Sequence, residues 1–379
     1  MKATIIATAA LLAVADATPL GNHTVRTLGN NTARSNSTLV SRHYGHSVYG
    51  SLAKRAGVQY FGVNMAGFDF GCATNGTCVT SSVYPPLQAL GGADGAGQMS
   101  HFTKDLSMNI FRLPVGWQYL TSSPGGTLES GNLGKYDQLV KACLATSASC
   151  VIDIHNYARW DGKIIGQGGP SNDDFANLWS QLATKYSGEE KVMFGLMNEP
   201  HDVPDIDKWA DSVQAAVSAI RKTGAKNMIL IPGNDWTSAQ AFPTKSGPAL
   251  LKVVNPDNST EGLIFDVHKY SDEDNSGTHT DCTTDNIDTA FSPLADWLRT
   301  NKRQAINSEM GGGNTASCEK FVCQQISFVN KNADVFLGYI GWSAGSFDPA
   351  TYELSEVPTK SGSTWTDSAL VKSCFKNTA

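Results

Sequence analysis

The sequence predicts an α/β fold, a (β/α)8 TIM barrel, for the larger part of the chain. Eight short apolar runs follow one another after residue 56, and stretches with helical spacing separate them. Alternating strands and helices indicate a parallel sheet that helices cover. Eight such units fit a closed barrel, for which about 250 residues are typical and insertions are common.

The predicted strands are largely apolar until their last residues, as is typical of parallel strands buried on both faces. They are 58–64, 109–115, 150–156, 192–199, 228–234, 263–269, 304–309 and 336–342. The clearest helical spacing between them falls at 97–108, 175–186, 206–224 and 321–332. A doubly wound open sheet is the alternative, but the glycine-rich phosphate motif expected after an early strand is missing.

The N-terminal part of the chain indicates export. Residues 1–17 combine a basic start, a short apolar stretch and an A-x-A cleavage pattern, so we interpret them as a signal peptide. Residues 18–55 are polar, rich in Ser, Thr and Asn, and end in the dibasic pair Lys54-Arg55. We interpret them as a propeptide or a disordered, glycosylated tail. A secreted, extracellular protein with a catalytic domain at 56–379 is therefore expected.

Charge and hydropathy limit the classes of partner. The formal net charge is −6, charged residues make up 17% of the chain, and no basic patch with interleaved aromatics occurs. Nucleic acid is therefore not an expected partner. No apolar segment is long enough to span a bilayer, so a membrane is not expected either.

Eight cysteines in an exported chain indicate disulfides. Metal binding is the alternative, but the sequence has no Cys-x-x-Cys pair and no close Cys/His cluster. Two closely spaced pairs close short loops, Cys72 with Cys78 and Cys143 with Cys150. Spacing alone leaves the pairing of the other four cysteines open: Cys282, Cys318, Cys323 and Cys374.

Polar and aromatic side chains stand where the predicted strands end. Any one of them has a structural explanation, such as an ion pair, a satisfied histidine or a core tryptophan. Their shared position in eight successive repeats favours function, because the carboxyl ends of barrel strands meet at the face that holds active sites. These residues are Asn64, Arg112, His155, Asn198, Glu199, Asn234, Asp235, Trp236, His268, Tyr270, Glu309 and Trp342.

Two of these residues, Glu199 and Glu309, are carboxylates at the ends of the fourth and seventh strands. A facing pair is what acetal hydrolysis requires, because one group protonates the leaving oxygen while the other attacks or stabilises the anomeric centre. Arg112 is expected to keep one carboxylate ionised. Burial and the neighbouring charge are expected to raise the pKa of the other.

The remaining side chains at this face suit a sugar. His155, His268 and Tyr270 are expected to hold sugar hydroxyls or to orient the nucleophile. Trp342 offers a flat face for a pyranose ring, and Trp160 and Trp236 are candidates farther along the cleft. Hydrolysis at a metal held by His155, His268 and Glu309 is the chemical alternative, but no HExxH spacing occurs.

Together these motifs resemble glycoside hydrolase family 5, specifically the fungal endo-β-1,4-glucanases of the endoglucanase II type. The resemblance covers residues 57–379 and is carried by GVNMAGFDFG, FRLPVGWQYL, DIHNYARWDG, MNEPHD, PGNDW, FDVHKY, SEMGGGN and GWSAGSFD. One departure is that Ser308 and Met310 stand where relatives often carry Thr.

The resemblance implies a retaining endo-β-1,4-glucanase that acts on β-glucan polysaccharide, with Glu199 as acid/base and Glu309 as nucleophile. It assigns substrate-binding or orienting roles to Arg112, His155, Asn198, His268, Tyr270 and Trp342. It also implies the disulfides Cys72–Cys78, Cys143–Cys150, Cys282–Cys318 and Cys323–Cys374. We expect no cofactor and a monomer.

Two other functions stay open on the sequence. The first is the same chemistry on mannan, xyloglucan, xylan or mixed-linkage glucan, because related enzymes share the catalytic residues. The second is a non-catalytic carbohydrate-binding protein on a barrel scaffold. That function predicts the loss of at least one catalytic Glu, whereas both Glu199 and Glu309 are present.

Overall fold

The computed structural model describes residues 57–376 and contains twelve strands and ten α-helices in this range. The strands are β1 (Tyr60–Ala66), β2 (Ile110–Val115), β3 (Ser149–Ile154), β4 (Arg159–Trp160), β5 (Lys163–Ile164), β6 (Val192–Gly195), β7 (Ile229–Pro232), β8 (Leu263–His268), β9 (Ala305–Met310), β10 (Phe336–Gly345), β11 (Thr359–Ser361) and β12 (Thr364–Thr366). The helices are α1 (Gly95–Leu106), α2 (Trp117–Leu120), α3 (Ser130–Ala145), α4 (Asn172–Tyr186), α5 (Ile206–Lys222), α6 (Phe242–Lys245), α7 (Gly247–Leu250), α8 (Ser292–Asn301), α9 (Ala316–Lys331) and α10 (Ala369–Cys374).

Eight of the strands close into a parallel barrel in the order β1, β10, β9, β8, β7, β6, β3, β2. This confirms the predicted (β/α)8 fold and excludes the open sheet. Each predicted strand corresponds to one barrel strand, with ends that differ by a few residues. Two short hairpins, β4–β5 and β11–β12, were not predicted. The signal peptide 1–17 and the segment 18–55 lie outside the described residues.

Alternate residues of each barrel strand pack on opposite faces, as the two-residue period of a strand requires. One set forms a compact cluster inside the barrel: Ile110, Val151, Met193, Leu230, Ile264, Ile306, Leu337 and Ile340. The other set packs against the surrounding helices in a larger core, for example Phe111, Ile152 and Phe194. Each fully buried side chain of this size contributes about 1.5–3 kcal/mol, so the barrel is a rigid support.

Helices α4 and α5 flank β6, and side-chain caps fix where both helices begin. Ser171 Oγ accepts from the backbone N–H of Asp174, and the Asp174 carboxylate accepts from the backbone N–H of Ser171. The Asp205 carboxylate accepts from the N–H groups of Asp207 and Lys208 at the start of α5. Each cap is worth about 1 kcal/mol.

All eight cysteines of the sequence are paired, in the combination that the resemblance implies: Cys72–Cys78, Cys143–Cys150, Cys282–Cys318 and Cys323–Cys374. The first closes a loop after β1, and the second joins α3 to β3. The third and fourth attach α9 to the loop after β8 and to α10. Among residues 57–376, no helix has both the length and the apolar character needed to cross a bilayer.

Candidate active site

A fully buried guanidinium, that of Arg112 on β2, lies at the centre of the polar network at the carboxyl ends of the strands. Its Nη1 donates to Asn64 Oδ1 at 3.0 Å and to Glu309 Oε1 at 2.5 Å. Its Nη2 donates to Asn198 Oδ1 at 2.7 Å and lies 2.9 Å from Asp153 Oδ1. Burial lowers the pKa of Arg112, but the charges of Asp153 and Glu309 outweigh it and raise that pKa. The guanidinium is therefore a permanent charge.

Glu309 reaches this network through an irregularity in β9. Val267 pairs with Asn307 and His268 pairs with Glu309, so Ser308 is an extra residue in β9. A bulge of this kind re-aims the side chains that follow it. Both oxygens of Glu309 then accept hydrogen bonds, one from Arg112 Nη1 and one from Tyr270 OH at 2.8 Å.

Glu199 follows β6 at a sharp turn, where its φ is 40°, in the left-handed region. The turn is anchored by the backbone N–H of Asn198, which donates to Ile154 O at 2.8 Å. One Glu199 oxygen lies within 4.8 Å of a Glu309 oxygen. Burial raises the pKa of Glu199 to about 7, so this carboxyl holds its proton near neutral pH.

The hydrogen bonds of His268 indicate where the proton of Glu199 lies. Ser308 Oγ donates to Asp266, so it accepts from His268 Nε2 at 2.9 Å. Burial lowers the pKa of His268, which keeps the ring neutral. A neutral ring with its proton on Nε2 leaves Nδ1 as an acceptor. Because Nδ1 is 2.8 Å from Glu199 Oε1, the protonated Glu199 is the donor of that bond.

A second buried histidine, His155, connects Asn198 to the core of the barrel. Its Nδ1 lies 2.8 Å from Asp153 Oδ2 and its Nε2 lies 3.2 Å from Asn198 Nδ2. Burial lowers the pKa of His155, but the hydrogen bond to Asp153 and the charge of Asp153 outweigh it, and the pKa is raised. The His155 ring also stacks on Trp342, with centroids 5.4 Å apart and planes 15° apart.

Aromatic side chains extend from the two glutamates along the mouth of the barrel. Tyr157 contacts His155 edge-on at 5.5 Å and Trp236 at 6.0 Å. Trp236 is 41% exposed and stacks flat on His201 at 3.9 Å. These rings form a row that we call the aromatic row: Trp342, His155, Tyr157, His201 and Trp236.

The structure brings most of the predicted site residues together. Hydrogen bonds join seven of them into one network, in which Ser308 and Asn64 connect His268 to Arg112. The seven are Arg112, His155, Asn198, Glu199, His268, Tyr270 and Glu309. Trp342 and Trp236 belong to the aromatic row. Trp160 lies on β4 and packs edge-on against the buried Trp117 at 5.3 Å, so its role in substrate binding stays a prediction.

Sequence reasoning missed three polar residues that support the site, namely Asp153, Asp266 and Ser308. A signal for the two acids is present: V-I-D-I-H and I-F-D-V-H each place Asp two residues before a His in an apolar strand. Residues two apart lie on the same strand face. Ser308 was noted only as a replacement for Thr, and its hydroxyl joins His268 to Asp266.

The metal alternative fits these residues poorly. The sequence suggested His155, His268 and Glu309 as ligands, but the structure groups Glu199, and not His155, with the other two. Glu199, His268 and Glu309 each bring one possible ligand atom to within 4.8 Å of one another. However, Arg112 and Tyr270 already donate to the two oxygens of Glu309. The guanidinium also sets a fixed positive charge 2.5 Å from Glu309 Oε1. These residues are therefore better suited to proton transfer than to binding a divalent cation.

The comparisons with known proteins agree with one another. A family model described as cellulase (glycosyl hydrolase family 5) matches residues 63–348. Endoglucanase EG-II of Hypocrea jecorina is 61% identical over 327 residues, which are 84% of this chain and 78% of the relative. The crystal structure of Cel5A (EG2) from Hypocrea jecorina superposes with a TM-score of 0.83, covering 84% of this chain and 99% of that chain at 61% identity.

A further relative bears on the metal alternative. The manganese dependent endoglucanase Eg5A of Phanerodontia chrysosporium is 48% identical over 305 residues, which are 80% of this chain and 76% of the relative.

Proposed function

The chain belongs to glycosyl hydrolase family 5, and we propose that it hydrolyses internal β-1,4 bonds of cellulose and related β-glucans by a retaining mechanism with two glutamates. It is an endo-1,4-β-D-glucanase. The observation that carries the proposed mechanism is that one carboxylate oxygen of Glu199 lies within 4.8 Å of one carboxylate oxygen of Glu309. Retaining enzymes hold the two carboxyl groups about 5–5.5 Å apart, whereas inverting enzymes need about 6.5–9.5 Å.

In the first step Glu309 attacks the anomeric carbon and the bond to the glycosidic oxygen breaks. Glu199 gives its proton to that oxygen, so the leaving sugar departs as a neutral alcohol and a glycosyl-enzyme ester forms. Two features of the site support these roles. Glu199 holds a proton near neutral pH, and Arg112 and Tyr270 fix both oxygens of Glu309.

In the second step water attacks the anomeric carbon of the ester and releases Glu309. Glu199, now a carboxylate, takes the proton of that water and returns to its starting state. Two inversions at the same carbon leave the anomeric configuration retained. Neutral His268 stays beside Glu199 in both steps, and its Nδ1 accepts a hydrogen bond from the Glu199 carboxyl whenever Glu199 is protonated.

Asn198 is placed to bind the sugar in the site. Its Oδ1 is held by Arg112, and its Nδ2 lies 3.2 Å from His155 Nε2. An amide nitrogen has two protons, so one remains for the sugar 2-hydroxyl. A bond to that hydroxyl strengthens as the transition state forms. Trp342, which stacks on His155, offers a face to the pyranose ring.

Export completes the proposal. We propose that residues 1–17 are removed as a signal peptide, that residues 18–55 are a propeptide or tail, and that the catalytic domain at 56–379 acts outside the cell as a monomer. Four disulfides are consistent with an oxidising compartment. No cofactor takes part in the proposed steps.

The test of the proposed substrate is the initial rate of reducing-end release on four polysaccharides in parallel: carboxymethyl cellulose, barley mixed-linkage glucan, galactomannan and xylan. The proposal predicts fast release from the first two and little from the others. Dominant release from galactomannan or xylan would overturn the proposed substrate and leave the proposed roles of the two glutamates unchanged. No release from any of the four polysaccharides would favour the alternative function, a non-catalytic carbohydrate-binding protein.

A second test addresses metal dependence, because a relative is named for manganese. The other described group with ligand spacing is Asp272, Asp274 and His279, on the loop after β8. There Asp272 Oδ2 already accepts from the backbone N–H groups of Thr278 and His279. We expect dialysis against EDTA to leave the rate on carboxymethyl cellulose unchanged. A large loss that manganese restores would overturn the metal-free mechanism.

A further inference from the structure

We propose that Asn75 carries an N-linked glycan and that this glycan lies at the rim of the substrate cleft. Asn75 begins the sequon Asn75-Gly76-Thr77, the acceptor pattern for N-glycosylation. The sequon lies in the loop that the Cys72–Cys78 disulfide closes after β1. The inference rests on the proposed export and on the proposed position of the cleft.

The Asn75 side chain is held in a form that presents its amide nitrogen to solvent. The residue is exposed, and its Oδ1 accepts from the backbone N–H of Thr77 at 3.0 Å. Within residues 57–376, Nδ2 makes no hydrogen bond. A glycan on Nδ2 therefore displaces no contact of the folded domain.

The loop is fixed to the end of the aromatic row. The carbonyl of Thr74 lies 2.9 Å from His201 Nε2, and His201 is the ring on which Trp236 stacks. On the other side, the backbone N–H of Gly162, in the β4–β5 turn, donates to Asn75 O at 2.8 Å. Asn75 is therefore beside the rings that lead away from the catalytic pair.

The modification is an ordinary transfer reaction. Asn75 Nδ2 forms a bond to C1 of an oligosaccharide on a polyprenyl diphosphate donor, and the C1–O bond to the diphosphate breaks. The lipid diphosphate is the leaving group, and the amide proton passes to a base of the transferase. The secretory pathway supplies both the donor and the transferase.

A glycan at this place affects long substrates more than short ones. A polysaccharide that follows the aromatic row continues past Trp236 and the rim, where it meets the glycan. A short cello-oligosaccharide that occupies only the catalytic pair and Trp342 does not reach the rim. The glycan is therefore expected to raise KM for polymer and to leave kinetics on cellotriose unchanged.

The second sequon of the domain, Asn258-Ser259-Thr260, is a matched control. Asn258 is also exposed, in the turn between α7 and β8. That turn precedes β8, so it lies at the amino ends of the strands, away from the catalytic face. A glycan at Asn258 shares the chemistry of the first site but not its position.

The experiment is to express the full chain in a yeast host and to compare it with Asn75→Gln, Thr77→Ala, Thr77→Ser and Asn258→Gln. Glycopeptide mass spectrometry reports occupancy, and KM and kcat are measured on carboxymethyl cellulose and on cellotriose. We expect Asn75→Gln and Thr77→Ala each to lose one glycan and to lower KM on polymer by about twofold or more. Thr77→Ser, which keeps the sequon, and Asn258→Gln should match the wild-type chain in both kinetic constants.

The outcomes separate this inference from the proposed function. An unmodified Asn75 beside a modified Asn258 would overturn the inference while export and hydrolysis stand. An occupied Asn75 whose removal leaves KM on polymer unchanged would overturn its place at the cleft. A chain retained inside the cell without glycans would overturn both export and the inference, and activity in the lysate would still test hydrolysis.

Discussion

Glu199 and Glu309 are the same kind of side chain held in different surroundings. Glu309 accepts from the permanent charge of Arg112 and from Tyr270. Glu199 is partly buried without a cation in contact and faces a neutral acceptor, the Nδ1 of His268. Two carboxyls held in such different surroundings within one pocket are the arrangement that general acid catalysis with a nucleophile requires.

The first prediction concerns the pH dependence that Glu199 sets. The pKa of Glu199 is about 7, and this acid must be protonated to act. The value of kcat/KM on cellotetraose should therefore be highest below pH 7 and decrease as the pH rises through about 7. The measurement is a pH profile of kcat/KM. The Glu199→Ala variant, assayed with an activated aryl cellobioside that needs no protonation, should lack this fall. If kcat/KM of that variant decreased with pH as in the wild type, the decrease would be due to another titrating group.

The second prediction concerns Tyr352, which the sequence did not mark. Trp342 Nε1 donates to Tyr352 OH at 3.0 Å, and the Tyr352 ring stacks on Phe347 at 3.8 Å. Tyr352→Phe removes the hydrogen bond and keeps the stacking, so the indole should lose its fixed position. A hydrogen bond contributes about 0.5–1.5 kcal/mol, which corresponds to about a two- to tenfold lower kcat/KM on cellotetraose.

The control for Tyr352 is Tyr339→Phe, which removes a phenol hydrogen bond to Lys376 O at 3.1 Å. Tyr339 lies earlier on β10 than Trp342 and packs against Phe375. This variant should keep its kcat/KM. Equal losses in the two variants would show that Tyr352 acts on stability alone and does not position Trp342.

The predictability of the site follows from its geometry. The residues at strand ends were found because an apolar run that stops at a polar residue is visible in the sequence, as at Asn198-Glu199. The bulge at Ser308 was not visible, because pairing register depends on the neighbouring strand. Tyr352 was missed because it lies ten residues beyond Trp342, where no strand or helix period places it.

Among the elements, β10 is closely packed near the site. It pairs with both β1 and β9, and Trp342 lies on it. Behind it, the buried carboxyl of Glu356 and the ring of Phe375 pack against Gly341 so closely that a Cβ there would overlap both. Burial raises the pKa of Glu356 well above its usual range, so this contact holds a neutral acid.

The third prediction is that Gly341→Ala destabilises the domain. Overpacking a well-filled core costs about 1–3 kcal/mol, and the free energy of unfolding from urea titration should fall by this amount. The control is Gly134→Ala in α3, where a Cβ meets nothing within 4 Å. That change should stabilise by about 0.4–1 kcal/mol. An unchanged Gly341→Ala variant would contradict the described packing.

Element prediction succeeded for long apolar runs and failed for very short strands. All eight barrel strands were predicted because each is bounded by loops and is apolar over several residues. The β4–β5 hairpin has two residues in each strand, Arg159–Trp160 and Lys163–Ile164. So short a pair has no readable period, and its position depends on contacts with the Cys72–Cys78 loop.

For the molecule as a whole, the described residues form a complete barrel with its own cores and all four disulfides. The fourth prediction is that a chain beginning at Ala56 folds alone. Its melting temperature and its rate on carboxymethyl cellulose should equal those of the full chain. The two are compared by calorimetry and by initial rates. An insoluble or inactive product would show that residues before 56 are needed by the catalytic domain.

The measurement that tests the central claim most directly is identification of the glycosyl-enzyme intermediate. The enzyme is incubated with 2,4-dinitrophenyl 2-deoxy-2-fluoro-β-cellobioside, whose fluorine slows both steps and whose leaving group restores only the first. The two-glutamate mechanism predicts one added fluorocellobiosyl group, found by peptide mass spectrometry on Glu309. An adduct on Glu199, or complete turnover with inverted product and no adduct, would contradict it.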